Sequence, residues 1–357
     1  MNILYTLSGF GFGHSVRSRA VIEILKKRGH FVKIATYGQS ITYLKRFFPN
    51  DIVEIKGLKH YFLAGRLFGM GTILKALENI PLILSKNFPI LRKIIKNFEI
   101  NVVFNDFEPS ARWLARAMDI PLVTIDNQFI SHVCKLNIPL KFLTEYFAIN
   151  ATINFLYPWG DWRFITSFVP ELTPVRKQYA PNTFIVPSIL RKEIFELKPK
   201  KEDFVLVYQT APIYKKSLFK VFRKMKENFI CYNLGRPSKT RNIILKNFSE
   251  KEFLNDLSKA KAVILNGGFT LMSEAIYLKK PVFSIPIKGD FEQILNGLIL
   301  EKSGYGVFCQ NFNEKSLRDF FKNIPSFEKK LQEYNQKGNI IFKKKLIKVL
   351  NKIEYGI

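Results

Sequence analysis

Two glycine clusters in this 357-residue chain stand beside side chains that can move protons or bind phosphate. The first is Gly9-Phe10-Gly11-Phe12-Gly13-His14, directly after the apolar run at residues 3–7. Glycines at a strand tip let the backbone approach a ligand, and a following helix offers free N–H groups to an anion. The positive end of that helix opposes a charged imidazole, so His14 reads either as a proton acceptor or as a helix-end residue with no chemistry. Asp106 ends a second apolar run, Val102-Val103-Phe104-Asn105, and can orient His14 as the third member of a triad does, or cap the next helix. Asp126, after Val123-Thr124-Ile125, reads as a cap. A divalent cation on Asp106 and Glu108 ranks lower, because two carboxylates make a weak site.

The second cluster is Asn266-Gly267-Gly268-Phe269-Thr270-Leu271-Met272-Ser273-Glu274. It follows an apolar run at 262–265 and opens a helical pattern, so Gly267 and Gly268 leave backbone N–H groups for a diphosphate, and Glu274 is placed to accept from two ribose hydroxyls. A third group, Lys288-Gly289-Asp290-Phe291-Glu292-Gln293 with Asn296 one turn on, combines acid and amide side chains. Such groups each satisfy several hydroxyls of a sugar, although a solvated helix start capped by Asp290 would carry the same residues. The first glycine loop is neither a dinucleotide fingerprint nor a P-loop. His14 stands where the former would need its third glycine, the second strand ends in Thr36-Tyr37 with no acid, and the lysine of a P-loop is missing.

These groups need strand ends to position them, and the sequence supplies strands alternating with helices. Strand at 3–7, helix at 16–25 and strand at 31–35 form a βαβ unit closed by Gly29. Strand at 102–104, helix at 110–118 and strand at 121–125 continue it, with further strands expected at 150–155 and 183–186. After a charged stretch at 189–203, read as an exposed linker, strands are expected at 204–208, 229–233, 243–248, 262–265 and 282–285, with a largely helical end at 327–352. Such alternation implies parallel sheets covered on both faces.

Lys plus Arg number 56 against 29 Asp plus Glu, a formal charge of 56 − 29 = +27, which favours anionic partners: nucleic acid, acidic headgroups or phosphorylated substrates. Between Leu58 and Phe98, seven basic residues and one acid are mixed with Phe, Leu and Ile. That segment suits an anionic bilayer surface, and equally suits core helices with solvated lysines. Cys134, Cys231 and Cys309 have neither zinc nor disulfide spacing. No signal-peptide order and no spanning apolar run is read, so a cytoplasmic protein is expected.

The ordered set Gly-x-Gly-His-x-x-Arg at 11–17, Gly267-Gly268 with Ser273-Glu274, and Gly289 to Gln293 with Asn296 resembles the nucleotide-sugar glycosyltransferases of the GT-B fold. Within that fold it resembles the family-28 type, which includes the peptidoglycan lipid-intermediate N-acetylglucosaminyltransferase and the galactolipid synthases, together with a less characterised archaeal and bacterial group. The resemblance spans nearly the whole chain.

It implies an α/β protein of two Rossmann-like doubly wound domains facing a central cleft. Residues 1–188 would bind the acceptor and 204–335 the nucleotide sugar, with a linker at 189–203 and a C-terminal helix at 336–357 packing back on the first domain. His14, with Asp106, would be the base of an inverting transfer, and Gly11, Gly13 and Arg17 would lie on the acceptor side, Arg17 as a phosphate ligand or a helix-surface charge. Gly267 and Gly268, with Phe269, Thr270 and Ser273, would hold the diphosphate of a UDP-sugar. Glu274 would take the ribose, Asp290, Glu292 and Gln293 the sugar, and Phe248 the base. No metal or cofactor is implied.

The acceptor would be a lipid or lipid-linked glycan on an anionic membrane surface, with the enzyme peripheral on the cytoplasmic face. Two departures stand out: Tyr208-Gln209-Thr210-Ala211-Pro212 lacks the glycines many relatives place beneath the diphosphate, and Val186-Pro187-Ser188 replaces a Gly-Pro hinge. The competing readings are a nucleotide-sugar hydrolase or epimerase of the same fold and a non-catalytic basic protein that binds nucleic acid.

Overall fold

The computed structural model describes residues 1–57, 62–63, 66–67, 69–210 and 212–356; the side chains of residues 62–77 and 212 are outside that description. The chain divides into two compact units, one built on Met1–Leu63, Leu67–Arg191 and Lys337–Ile357, the other on Lys192–Gln336.

In the first unit the chain runs β1 (Asn2–Leu7), α1 (Phe12–Lys27), β2 (Phe31–Thr36), α2 (Gln39–Lys45), β3 (Ile52–Glu54), a short β4 (Phe62–Leu63) and β5 (Arg66–Leu67) pair, and α3 (Gly69–Asn97). It continues through β6 (Val102–Asp106), α4 (Pro109–Ala117), β7 (Leu122–Asp126), α5 (Ile130–Val133), α6 (Leu143–Leu156), β8 (Trp162–Ser167) and β9 (Thr183–Pro187). Seven strands pair in the order β3-β2-β1-β6-β7-β8-β9, all parallel. Alternate residues of β1 feed two cores. Ile3, Tyr5 and Leu7 pack with α1, while Leu4 packs with Leu91, Ile94 and Ile95 of α3 and Leu114 of α4. Both faces of the sheet are therefore covered, as an all-parallel sheet requires.

The second unit runs α7 (Lys192–Glu196), β10 (Phe204–Tyr208), α8 (Lys215–Phe222), β11 (Asn228–Tyr232), β12 (Ser238–Thr240), β13 (Ile243–Lys246), α9 (Glu250–Lys259), β14 (Ala262–Leu265), α10 (Phe269–Tyr277), β15 (Val282–Ser284), α11 (Phe291–Ser303), β16 (Gly306–Phe308) and α12 (Glu314–Gln332). Its sheet order is β12-β13-β11-β10-β14-β15-β16, parallel except for the β12 edge. The last helix, α13 (Gly338–Tyr355), returns to the first unit, where Phe342, Leu346, Val349 and Leu350 join the β1 core. Gly338 permits this: a Cβ there would lie 2.0 Å from the Ser188 carbonyl oxygen.

Two expectations are corrected and one strand is added. Residues 150–155 are helical, inside α6, not a strand. Thr, Ile and Phe suggested β structure, but Ile153 and Leu156 bury one helical face, and Asn150 Nδ2 and Thr152 Oγ1 each donate to a carbonyl four residues back. The strand that occupies the place between β7 and β9 is β8, which the sequence reading passed over. Residues 189–203 are not exposed throughout, since Ile189, Leu190, Arg191 and Ile194 are buried and α7 lies among them.

Candidate active site

In each sheet the chain reverses its direction of growth once, and ligands of open α/β sheets bind outside the strand ends at such a point. In the first unit it lies between β1 and β6, and in the second between β10 and β14. Each unit carries one of the sequence clusters there.

At the first, Gly11 caps α1 with φ +74, a conformation that disfavours a side chain, and His14 sits in the opening turn beyond Gly13. Register pairs Leu7 of β1 with Asp106 of β6, bringing the carboxylate beside that turn. His14 Nδ1 lies 2.8 Å from Asp106 Oδ1. An ionised carboxylate only accepts, so Nδ1 carries a proton, and in the neutral ring Nε2 is the acceptor. The His14 side chain is 15% exposed and that of Asp106 is 0%. Gln128 Nε2 stands 3.4 Å from His14 Nε2.

Asp106 is the hub of the cluster. Besides His14 it accepts from Arg17 Nε (2.9 Å) and Nη2 (2.6 Å) and from Ser18 Oγ (3.1 Å). Burial alone would raise its carboxyl, but the Arg17 charge, His14 and these hydrogen bonds overcome that and hold it at about 2. Arg17 is buried, its Nη1 reaching Asn127 Oδ1 at 3.2 Å, so it is not a helix-surface charge.

The cap of α4 is Glu108, which accepts from the backbone of Ser110 and Ala111 at 2.9 and 2.8 Å; this frees Asp106 from capping and draws Glu108 away from any shared cation. Among the described residues no group of three or more His, Cys, Asp or Glu could hold a metal ion. Asp126 accepts from Phe129 N at 3.1 Å, one residue before α5, and also pairs with buried Arg112 at 3.1 Å. Phe107 follows Asp106 with φ +57, and its ring lies parallel to that of Tyr157 with centroids 4.1 Å apart.

At the second switch point, Gly267 has φ +95, and a Cβ on it would come within 2.9 Å of both the Gln293 carbonyl and Ser284 Oγ. Gly268, the N-cap of α10, has nothing within 4 Å of that position and no side-chain cap, which leaves the opening turn of α10 accessible to an anion. Phe269 and Thr270 form that turn, and Ser273 and Glu274 are buried behind it.

Several residues nominated for ligand contact also brace the loop. Asn296 Nδ2 donates to the Gly267 carbonyl at 2.9 Å, and Gln293 Oε1 accepts from Ile287 N at 2.9 Å. Asp290 caps α11 through Gln293 N at 3.2 Å; burial and the neighbouring Glu292 push its carboxyl up to about 7. Phe248, 45% exposed, stands edge-on to Tyr208 and Tyr232 and beside Phe253.

The sequence reading missed Asn266 and Gln209 as a pair. Asn266 donates to Gln209 Oε1 (2.8 Å) and to the Ile285 carbonyl (3.1 Å), and accepts from Thr210 N (2.8 Å), tying together the ends of β10, β14 and β15. The available signal was an amide side chain directly after each of two apolar strands.

The chain belongs to glycosyl transferase family 1, which it matches over residues 1–325. That membership makes it a glycosyltransferase and sets aside the non-catalytic reading. It is similar to an uncharacterized glycosyltransferase of Methanosarcina mazei, at 26% identity over 338 residues, 86% of this chain and 85% of the relative. Among solved structures, UGT2 of Phytolacca americana, complexed with UDP-2fluoro-glucose and pterostilbene, covers 99% of this chain and 100% of its own at TM-score 0.69 and 12% identity. MurG of Acinetobacter baumannii covers 97% and 99% at TM-score 0.60 and 15% identity. These likenesses establish the GT-B fold of two Rossmann-like domains.

Proposed function

We propose that this family member transfers a hexose or N-acetylhexosamine from a UDP-sugar to a hydroxyl acceptor with inversion and without a metal, as an enzyme of the family-28 type. The observation that carries the reading is the hydrogen bond from His14 Nδ1 to buried Asp106, which leaves Nε2 as the proton acceptor. The acceptor hydroxyl gives its proton to Nε2 as its oxygen attacks the anomeric carbon, and the bond from that carbon to the diphosphate oxygen breaks. The electron pair leaves with UDP, whose developing charge the N–H groups of the opening turn of α10 stabilise. Glu274 takes the ribose, Phe248 the base, and Asp290, Glu292 and Gln293 the sugar hydroxyls. The UDP-2fluoro-glucose bound to the Phytolacca neighbour is consistent with such a donor.

The acceptor in this reading is a lipid or lipid-linked glycan, met by a peripheral enzyme on the cytoplasmic face of an anionic membrane. Its support is the +27 charge and apolar side chains exposed on the first unit: Phe147 and Phe155 of α6 are 63% and 66% exposed, and Leu140 just before it is 85% exposed. Part of the basic segment expected to face the membrane, residues 58–61, 64–65 and 68, lies outside the described residues, as do the side chains up to residue 77. Farther along α3, Ile83, Leu91, Ile94 and Ile95 are buried, whereas Leu82, Lys86, Ile90 and Lys93 are exposed. Among the described residues no helix is long and apolar enough to cross a membrane.

The test is a thermal-shift panel of nucleotides and nucleotide sugars, since a ligand bound only to the folded state raises Tm. UDP and one UDP-sugar should stabilise the protein most. Stabilisation by none of them, or by purine nucleotides alone, would refute the donor assignment.

A further inference from the structure

The His14–Asp106 pair is embedded in a set of charges. From α1, Arg17 supplies a two-pronged contact to Asp106, and Ser18 adds an uncharged donor. From β7 comes Asp126, paired with Arg112 of α4; from β1 comes the phenol of Tyr5, raised by burial and by Asp106. The charged side chains in contact with the ring are Asp106 and Arg17, and beyond them lie Asp126, Arg112 and the buried cap Glu108. Asp106, Arg17, Asp126 and Arg112 are all nearly or wholly excluded from solvent, so each charge acts with little screening.

We infer that Arg17 is a positioning residue that acts through Asp106, fixing the carboxylate against His14 Nδ1 and offsetting its charge so that the ring is not locked in its protonated form. The inference rests on His14 being the base. A bare carboxylate beside an imidazole strongly favours the charged ring, and a base that already holds a proton cannot take one from the acceptor. An arginine on the same carboxylate weakens that pull while the hydrogen bond still selects the tautomer. Arg17 suits the task because its planar fork engages both carboxylate oxygens and stays charged in the interior, which a lysine cannot reproduce. The close approach of Arg17 Nη2 to His14 Nδ1, 3.3 Å, places that charge at the ring itself.

The experiment is an NMR pH titration of the four histidines in the full-length protein, with His14 assigned by the loss of its signal in His14→Gln. Arg17→Met should move the His14 midpoint up while the other histidines stay in place. Arg17→Lys should move it less, and Ser18→Ala, which withdraws only an uncharged donor, should move it in the same direction by less than Arg17→Met. A His14 midpoint unmoved in Arg17→Met, or unmoved in Arg17→Lys should the first variant not fold, overturns the inference. UDP-sugar turnover that depends on His14, with a midpoint indifferent to Arg17, refutes this role alone; a moved midpoint in a protein that binds no UDP-sugar refutes the donor reading alone.

Discussion

Asp106 Oδ1 accepts from His14 Nδ1 at 2.8 Å and from Arg17 Nη2 at 2.6 Å, so one buried oxygen joins the ring to the guanidinium. His14 is in this way held by a residue 92 positions away in sequence and adjacent in the sheet. Asp106→Asn keeps the shape and removes the charge. It should lower turnover by roughly 10²–10⁴-fold, the range for general-base contributions, with affinity for UDP unchanged. Steady-state kinetics with UDP binding by calorimetry checks this, and wild-type turnover in the variant would contradict it.

Acid should destabilise the first unit through the same carboxylate. Asp106 is held at about 2 in the folded protein, below its ordinary value of 3.8. A depressed pKa contributes stability that is present above the unfolded value and lost as pH falls from about 4 through about 2, here on the order of 2 kcal/mol. Urea unfolding at pH 5 and pH 2.5 should show this loss in the wild type, and a smaller one in Asp106→Asn.

The second unit carries the opposite sign at Asp290, whose carboxyl is raised from 3.8 to about 7. Its stabilising effect is complete below about pH 4 and declines as pH rises through 7. Asp290→Asn retains an oxygen that can accept from Gln293 N and cannot ionise. The variant should therefore gain Tm relative to wild type between pH 5 and pH 8; a constant difference across that range would contradict the assignment.

Gly267→Ala would force a Cβ to within 2.9 Å of the Gln293 carbonyl at φ +95. A cost of about 1–3 kcal/mol is expected, together with weaker UDP binding, because the loop must shift. Gly268→Ala meets open space and should cost less stability while still weakening the diphosphate contact. Equal Tm losses in the two variants would count against this account of the loop.

Glu274→Ala should weaken UDP-sugar binding by roughly 1–3 kcal/mol, the cost of unmade charged hydrogen bonds, and should weaken UMP binding as well if the ribose is its partner. Calorimetric titrations with UDP-sugar and UMP read this directly. Unchanged affinity for both would place the ribose elsewhere.

The strands that carry the site were legible because β1, β6, β10 and β14 are buried on both faces and read as continuous apolar runs. The residues at their ends were legible for the same reason: a polar group directly after such a run has few places to go. The strand β8 was hidden by Trp162 and Arg163, whose guanidinium is satisfied by Thr183 Oγ1 and loop carbonyls that no local pattern reveals.

The burial of Arg17 was not legible because helical periodicity says only that a charge lies on α1, whereas its burial depends on Asp106, 89 residues away. The Asn266–Gln209 brace spans 57 residues and was invisible for that reason, although it supplies order in the loop that lacks the expected glycines.

The most direct measurement is a comparison of His14→Ala with wild type for UDP binding and sugar transfer from the UDP-sugar that gives the largest thermal shift. The account predicts transfer reduced by at least about 10²-fold with UDP affinity within about twofold of wild type. Full transfer by the variant would contradict it.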